Sequence, residues 1–139
     1  MTYPTPVVIA ACCTLMAATS ASAGTALEEA LASGAERLSS DEIAELLVGK
    51  RVVARAGDKV FNFHYAPTNV LQGELQGGGW SGTGHYAITD GNEVCVSMAQ
   101  DAGRYRCLTV LRHGDSLQKF NARGDKTFDL LETTTASGL

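Results

Sequence analysis

The stretch that decides the fold is residues 86–111, YAITDGNEVCVSMAQDAGRYRCLTVL. Two apolar runs rich in β-branched residues, 94–98 and 105–110, flank a turn at Gln100-Asp101-Ala102-Gly103. Folding the chain back at Asp101 sets Cys95 opposite Cys107, because both lie six residues from that point. Directly opposed residues on antiparallel strands bring their Cβ atoms into the range that a disulfide requires. Asp90-Gly91 then turns the chain into the preceding run, 86–89, so the stretch is predicted to be a three-stranded meander stapled across one ladder.

Working outward toward the C-terminus, His113-Gly114-Asp115 turns into a strand over 117–121, and Arg123-Gly124-Asp125 turns into another over 126–131. Residues 132–139 are expected to be a disordered tail. Toward the N-terminus, Gln76 to Gly84 reads QGGGWSGTG and is expected to form a loop or a strongly bent edge. The one tryptophan of the chain, Trp80, sits in it and is expected to be half-buried against an end of the core. Before that loop come a short strand at 70–75, a turn at Ala66-Pro67-Thr68-Asn69 and an aromatic strand at 59–65. There Phe61, Phe63 and Tyr65 alternate with Asn62 and His64, which places the aromatics on one face. A further strand, 51–56, precedes it across a turn at Gly57-Asp58.

Ser39-Ser40-Asp41-Glu42 has capping-box spacing, and Ile43, Leu46 and Leu47 make one apolar stripe. These features predict a short helix ending at Gly49, where a left-handed glycine belongs. Residues 25–38, TALEEALASGAERL, favour helix but carry Gly34, and the segment 24–38 is read as a leader, partly helical or flexible. The fold class expected is therefore mainly β. It is an antiparallel meander curled into a small barrel or a sandwich, with one short N-terminal helix packed on it and a single β-rich domain over 39–131.

The first 23 residues read as a signal peptide. Residues 7–18 are apolar or small, and Ala21-Ser22-Ala23 is a small-x-small cleavage site before Gly24. The run is too short to anchor the chain across a bilayer, so no membrane span is expected. Ile9-Ala10-Ala11-Cys12 resembles a lipobox and gives a minor alternative, a lipoprotein anchored through Cys12. Either route places the protein in the periplasm or outside the cell. Cleavage after Ala23 also removes Cys13 and leaves Cys95 and Cys107 as the two cysteines of an oxidising compartment.

The net charge of −4 on 139 residues, with both signs scattered, argues against a nucleic-acid partner. Gly77-x-Gly79-x-x-Gly82 matches a dinucleotide fingerprint in letters only, because a strand and not a helix follows it. Arg123-Gly124-Asp125 spells an adhesion tripeptide but reads as a hairpin turn. His64, His85 and His113 lack metal-ligand spacing, so neither a metal nor a cofactor is expected. His113-Gly114-Asp115-Ser116 holds the letters of a catalytic triad inside one turn, where such groups cannot converge. What remains is the aromatic set, of which Phe63, Tyr65, Trp80 and Tyr86 are the candidate ligand-binding residues.

Leu47-Val48-Gly49-Lys50, the aromatic strand ending in Tyr65-Ala66-Pro67, the Gly79-Trp80 step and the Cys95…Cys107 pair together resemble a family of small exported bacterial proteins. That family is known as a domain of unknown function, the nine-ninety-five family, and the resemblance spans roughly Ser40 to Phe120. It carries no established activity, so no functional residue transfers.

The expected function is an exported, monomeric, non-catalytic binding module for an unknown small ligand or protein. The alternative is an inhibitor or stress-related accessory protein that acts on a secreted enzyme through the protruding 77–84 loop. A small hydrolase ranks third. A deep apolar cleft lined by Phe63, Tyr65 and Trp80 favours a small ligand; a solid core with that loop exposed favours a protein partner.

Overall fold

The structure, a computed structural model, describes residues 2–4, 6 and 24–136. The cleavage site at Ala23 and the alternative at Cys12 lie outside the described residues.

In chain order the elements are α1 (Ala26–Ala32), β1 (Glu36–Arg37), α2 (Ser40–Leu47), β2 (Lys50–Ala56), β3 (Lys59–Tyr65) and β4 (Val70–Leu75). They continue with β5 (Ser81–Thr89), β6 (Glu93–Met98), a single 3-10 turn at Ala99–Asp101, β7 (Tyr105–His113), β8 (Ser116–Phe120) and β9 (Lys126–Thr135). Each strand from β2 to β9 pairs antiparallel with the next, and β9 returns to pair with β2. The eight strands thus close into an up-and-down barrel, and the two-residue β1 adds to β7 from outside. Of the two architectures left open by the sequence, the barrel is the one formed.

Period-two alternation decides what faces inward. Val52 and Ala54, then Phe63 and Tyr65, Leu71, Tyr86, Val94 and Met98, Leu108 and Val110, and Leu130 join one interior cluster. The central hairpin has the expected register, with Cys95 paired to Cys107 and the two bonded. Its connection is longer than the expected four residues: six residues, 99–104, join the strands, a 3-10 turn at Ala99–Asp101 followed by Ala102 and Gly103 at positive φ.

One end of the barrel is shut by α2. Ser39 and Glu42 form the capping box, and Ile43 and Leu47 are fully buried against the strand ends. The β5–β6 turn latches the helix: Ser40 N–H donates to Asn92 Oδ1 at 2.8 Å, and Ser40 Oγ donates to the Thr89 carbonyl at 2.6 Å. Past the helix, Gly49 takes φ 74° and its N–H donates to the Tyr65 carbonyl at 2.7 Å, which ties the helix exit to β3.

Two boundaries differ from the sequence reading, and of the two alternatives for 24–38 the partly helical one is formed. The segment 24–38 contains a second helix, α1, with its own capping box from Thr25 and Glu28. Leu27 and Ala30 of α1 pack on Leu111 and Phe120 on the outer face of β7 and β8, and Leu27 N–H donates to the Gly124 carbonyl at 3.0 Å. The tail expected from 132 is a strand as far as Thr135, because Glu132 to Thr135 pair with Val53 to Lys50 and complete the barrel seam. The glycine-rich loop shrinks to 76–80, because Ser81 to Gly84 belong to β5. A Cβ on Gly84 would lie 2.0 Å from the Ser97 carbonyl oxygen, so the missing side chain is what lets β6 approach.

At the closing seam, Asp129 of β9 meets Arg55 of β2 at 3.5 Å, Gln118 of β8 at 3.3 Å and Lys126 at 3.1 Å. Partial burial alone would raise the Asp129 pKa, but hydrogen bonds and charge from Lys126, with Gln118 and Arg55, hold it below the ordinary carboxylate value. A lowered folded-state pKa contributes stability that is present above the ordinary value and lost as pH falls through the folded one. Thermal unfolding followed against pH should therefore show a fall in midpoint below about pH 4, and Asp129→Asn should flatten it; an unchanged acid slope would remove Asp129 from the seam. The staple gives a second test. Replacing Cys95 and Cys107 with alanine should lower stability in urea by about 2–3 kcal/mol, and a loss indistinguishable from zero would show that the hairpin needs no cross-link.

Candidate functional site

The barrel interior is packed at the α2 end and hollow at the other. The hairpin ends at 57–58, 76–80, 99–104 and 121–125 all lie at the hollow end, as the alternation of strand direction requires. Between them opens a cavity of about 630 Å³, within the range of small-ligand sites. An eight-stranded barrel is just wide enough inside to be filled by its own side chains or to hold one small molecule.

Aromatic side chains form the walls. Phe61 and Phe63 stack at 5.8 Å, Trp80 meets Phe61 edge-on at 5.6 Å, and Phe128 meets Phe63 edge-on at 5.6 Å. Gly73 makes room for this set: a Cβ there would lie 2.7 Å from the Phe63 ring and 3.1 Å from the Trp80 indole. Trp80 is half-buried, as its place in a short glycine loop predicts. Leu71, Leu75, Val96, Met98 and Leu108 complete the apolar lining.

The floor is Tyr65 with Lys119. Tyr65 lies on β3 and Lys119 on β8, three strands apart around the barrel, so their contact crosses the interior. Lys119 is 3% exposed, its Nζ donates to Tyr65 Oη at 2.6 Å, and the same Nζ lies 4.8 Å from the Tyr65 ring centroid. None of the ion pairs among the described residues involves Lys119. A buried ammonium whose partners are one phenol oxygen and one ring face is incompletely compensated. An ammonium has three N–H donors, and among the described residues Tyr65 Oη is the acceptor of one.

The rim is cationic. Lys59, Arg104, Arg106 and Arg123 line the mouth. Asp101 pairs with both Arg104 and Arg106, and Asp125 lies 3.5 Å from Arg123. The cavity lining contains no aspartate, glutamate, histidine, serine or cysteine.

Of the four sequence candidates, Phe63, Tyr65 and Trp80 line the cavity, and Tyr86 does not. Tyr86 is 4% exposed, packs edge-on against Tyr65 at 5.0 Å from beneath, and donates its hydroxyl to the Ala66 carbonyl at 2.6 Å. Burial, with Tyr65 adding, pushes its phenol above the ordinary value. Tyr86 is a structural residue of the closed end. The sequence reading missed Lys119, Phe128 and the arginines. Lys119 shares a strand face with Leu117, and Phe128 with Leu130, so parity was the one signal available. Among the described residues no cluster of three histidines, cysteines or carboxylates could hold a metal, and no helix is long and apolar enough to cross a membrane. Comparison with protein-family models, curated proteins and solved structures gave no match.

Because Lys119 is a buried charge without a counter-ion, Lys119→Met should stabilise the ligand-free protein by about 1–2 kcal/mol in urea unfolding. A destabilisation of similar size would mean that the Lys119–Tyr65 contact holds the barrel together.

Proposed function

We propose that this protein is an extracytoplasmic, non-catalytic binding module that carries a small, largely apolar ligand inside the open end of its barrel. The observation that carries the reading is the 630 Å³ cavity walled by Phe61, Phe63, Trp80 and Phe128. Its composition suits binding rather than proton transfer, since the lining offers neither a carboxylate nor an imidazole as general base. The Cys95–Cys107 bridge supports an oxidising compartment. The hollow interior supports a small ligand over the inhibitor reading, as does the pinning of residues 81–84 in β5, which leaves only 76–80 as a loop.

The fluorescent amine N-phenyl-1-naphthylamine tests the reading. It should bind saturably, shift its emission to the blue and quench Trp80 by energy transfer. Leu75→Trp, which fills the cavity from β4, should abolish this while leaving the β-sheet circular dichroism intact. Failure of the probe to bind, or equal binding by the filled variant, would contradict an interior site.

A further inference from the structure

The cavity is apolar on its walls and cationic at its floor, and the two features together define a ligand class. Resting on the binding reading above, we infer that the barrel selects single-headed anionic amphiphiles, with a carboxylate seated on Lys119 and an apolar chain lying along Phe61, Phe63, Trp80 and Phe128.

The inference starts from the cost of the lysine. Enclosing an ammonium without a counter-ion is unfavourable, and the floor supplies only a phenol oxygen and a ring face against it. The other cations of the site differ. Arg104 and Arg106 share Asp101, and Arg123 has Asp125, so their charges are met within the protein. Lys59 stands at the exposed start of β3 and is solvated by bulk water. Lys119 is the cation that is both buried and unmatched by a carboxylate among the described residues. An incoming carboxylate supplies the missing charge, accepts the unused N–H donors and can also accept from Tyr65 Oη–H. Charge-assisted hydrogen bonds of this kind are stronger than neutral ones, and more so away from bulk water.

The walls select what the carboxylate must carry. Four aromatic rings and the side chains of Leu71, Leu75, Val96, Met98 and Leu108 make the walls apolar, and the polar side chains Asn121 and Thr127 of the lining are engaged by Asp125 and the Lys119 carbonyl. A dianion or a sugar would lose its hydration there without compensation. A cationic amphiphile would meet Lys119 at the floor and is repelled there. The ligand is thus a long-chain monocarboxylate, whether a free fatty acid or a similar aliphatic acid.

Three probes of equal chain length separate this inference from the binding reading it rests on: dodecanoate, dodecanol and dodecyltrimethylammonium, each competed against N-phenyl-1-naphthylamine on the full exported chain. Dodecanoate should displace the dye about tenfold or more tightly than dodecanol, and dodecyltrimethylammonium should be the weakest. In Lys119→Met, dodecanoate should fall to the level of dodecanol while dodecanol keeps its affinity. Equal displacement by dodecanoate and dodecanol in the unaltered protein overturns the anion preference and leaves the apolar site standing. Displacement by none of the three, with the dye itself failing to bind, overturns both. If Lys119→Met keeps the preference and Arg123→Gln loses it, the head group sits at the rim and the assignment to Lys119 is wrong. The comparison among ligands on the unaltered protein decides the question even if a variant misfolds.

Discussion

Closure of the sheet by β9 is the constraint on which everything else rests. An open meander of β2 to β8 would leave β2 and β8 as exposed edges, each with a row of unpaired backbone groups. β9 satisfies both at once, pairing with β8 near Lys126 to Leu130 and with β2 through Asp129 to Thr135. Between Val53 and Ala54 the register shifts by one residue, which leaves Leu131 as the extra residue on β9. Only in a closed ring do Tyr65 and Lys119, on strands three apart, come into contact, and only there does a row of inward aromatics become a wall rather than a flat face.

Division of the interior into a filled and a hollow half follows from where bulk and its absence fall along the strands. At the α2 end the inward positions carry Val52, Tyr86, Val94 and Val110, and Ile43 and Leu47 are driven in from the helix. Those residues fill their space and supply the apolar burial that holds the barrel together. At the far end Gly73, Gly82 and Gly84 stand at inward positions of β4 and β5, where the wall carries no side chains of its own. Phe63 and Trp80 lean onto Gly73, and the space left at the axis is the cavity. The filled half holds the fold, so the hollow half is free to keep a buried charge that is unfavourable on its own. A site held at the expense of stability is the usual relation between binding and folding.

Local pattern made much of this legible and non-local pairing made the rest opaque. The Cys95–Cys107 hairpin, the aromatic strand with Phe61, Phe63 and Tyr65, and the capping box at Ser39 and Glu42 each rest on spacing within a few residues, and the structure has all three. The strand at Ser81 to Gly84 looked like loop because its glycines answer to Ser97 and Gln100 across the sheet, contacts that no local pattern contains. Thr133 to Thr135 looked like a loose end because their partners, Lys50 to Val52, lie at the other end of the barrel's strand order. Tyr86 and Tyr65 are alike in sequence, yet one has its hydroxyl tied to a carbonyl under the floor and the other faces the cavity. Lys119 shares a strand face with Leu117, and closure brings that face to the interior.

A crystal structure of the protein grown with dodecanoate tests the central claim most directly. The expected density is a carboxylate within about 3 Å of Lys119 Nζ, with the chain passing between Phe63, Trp80 and Phe128 toward the mouth. A chain bound in the reverse sense, its carboxylate on Arg123 at the rim, or an interior closed by its own side chains with no density inside, would contradict it.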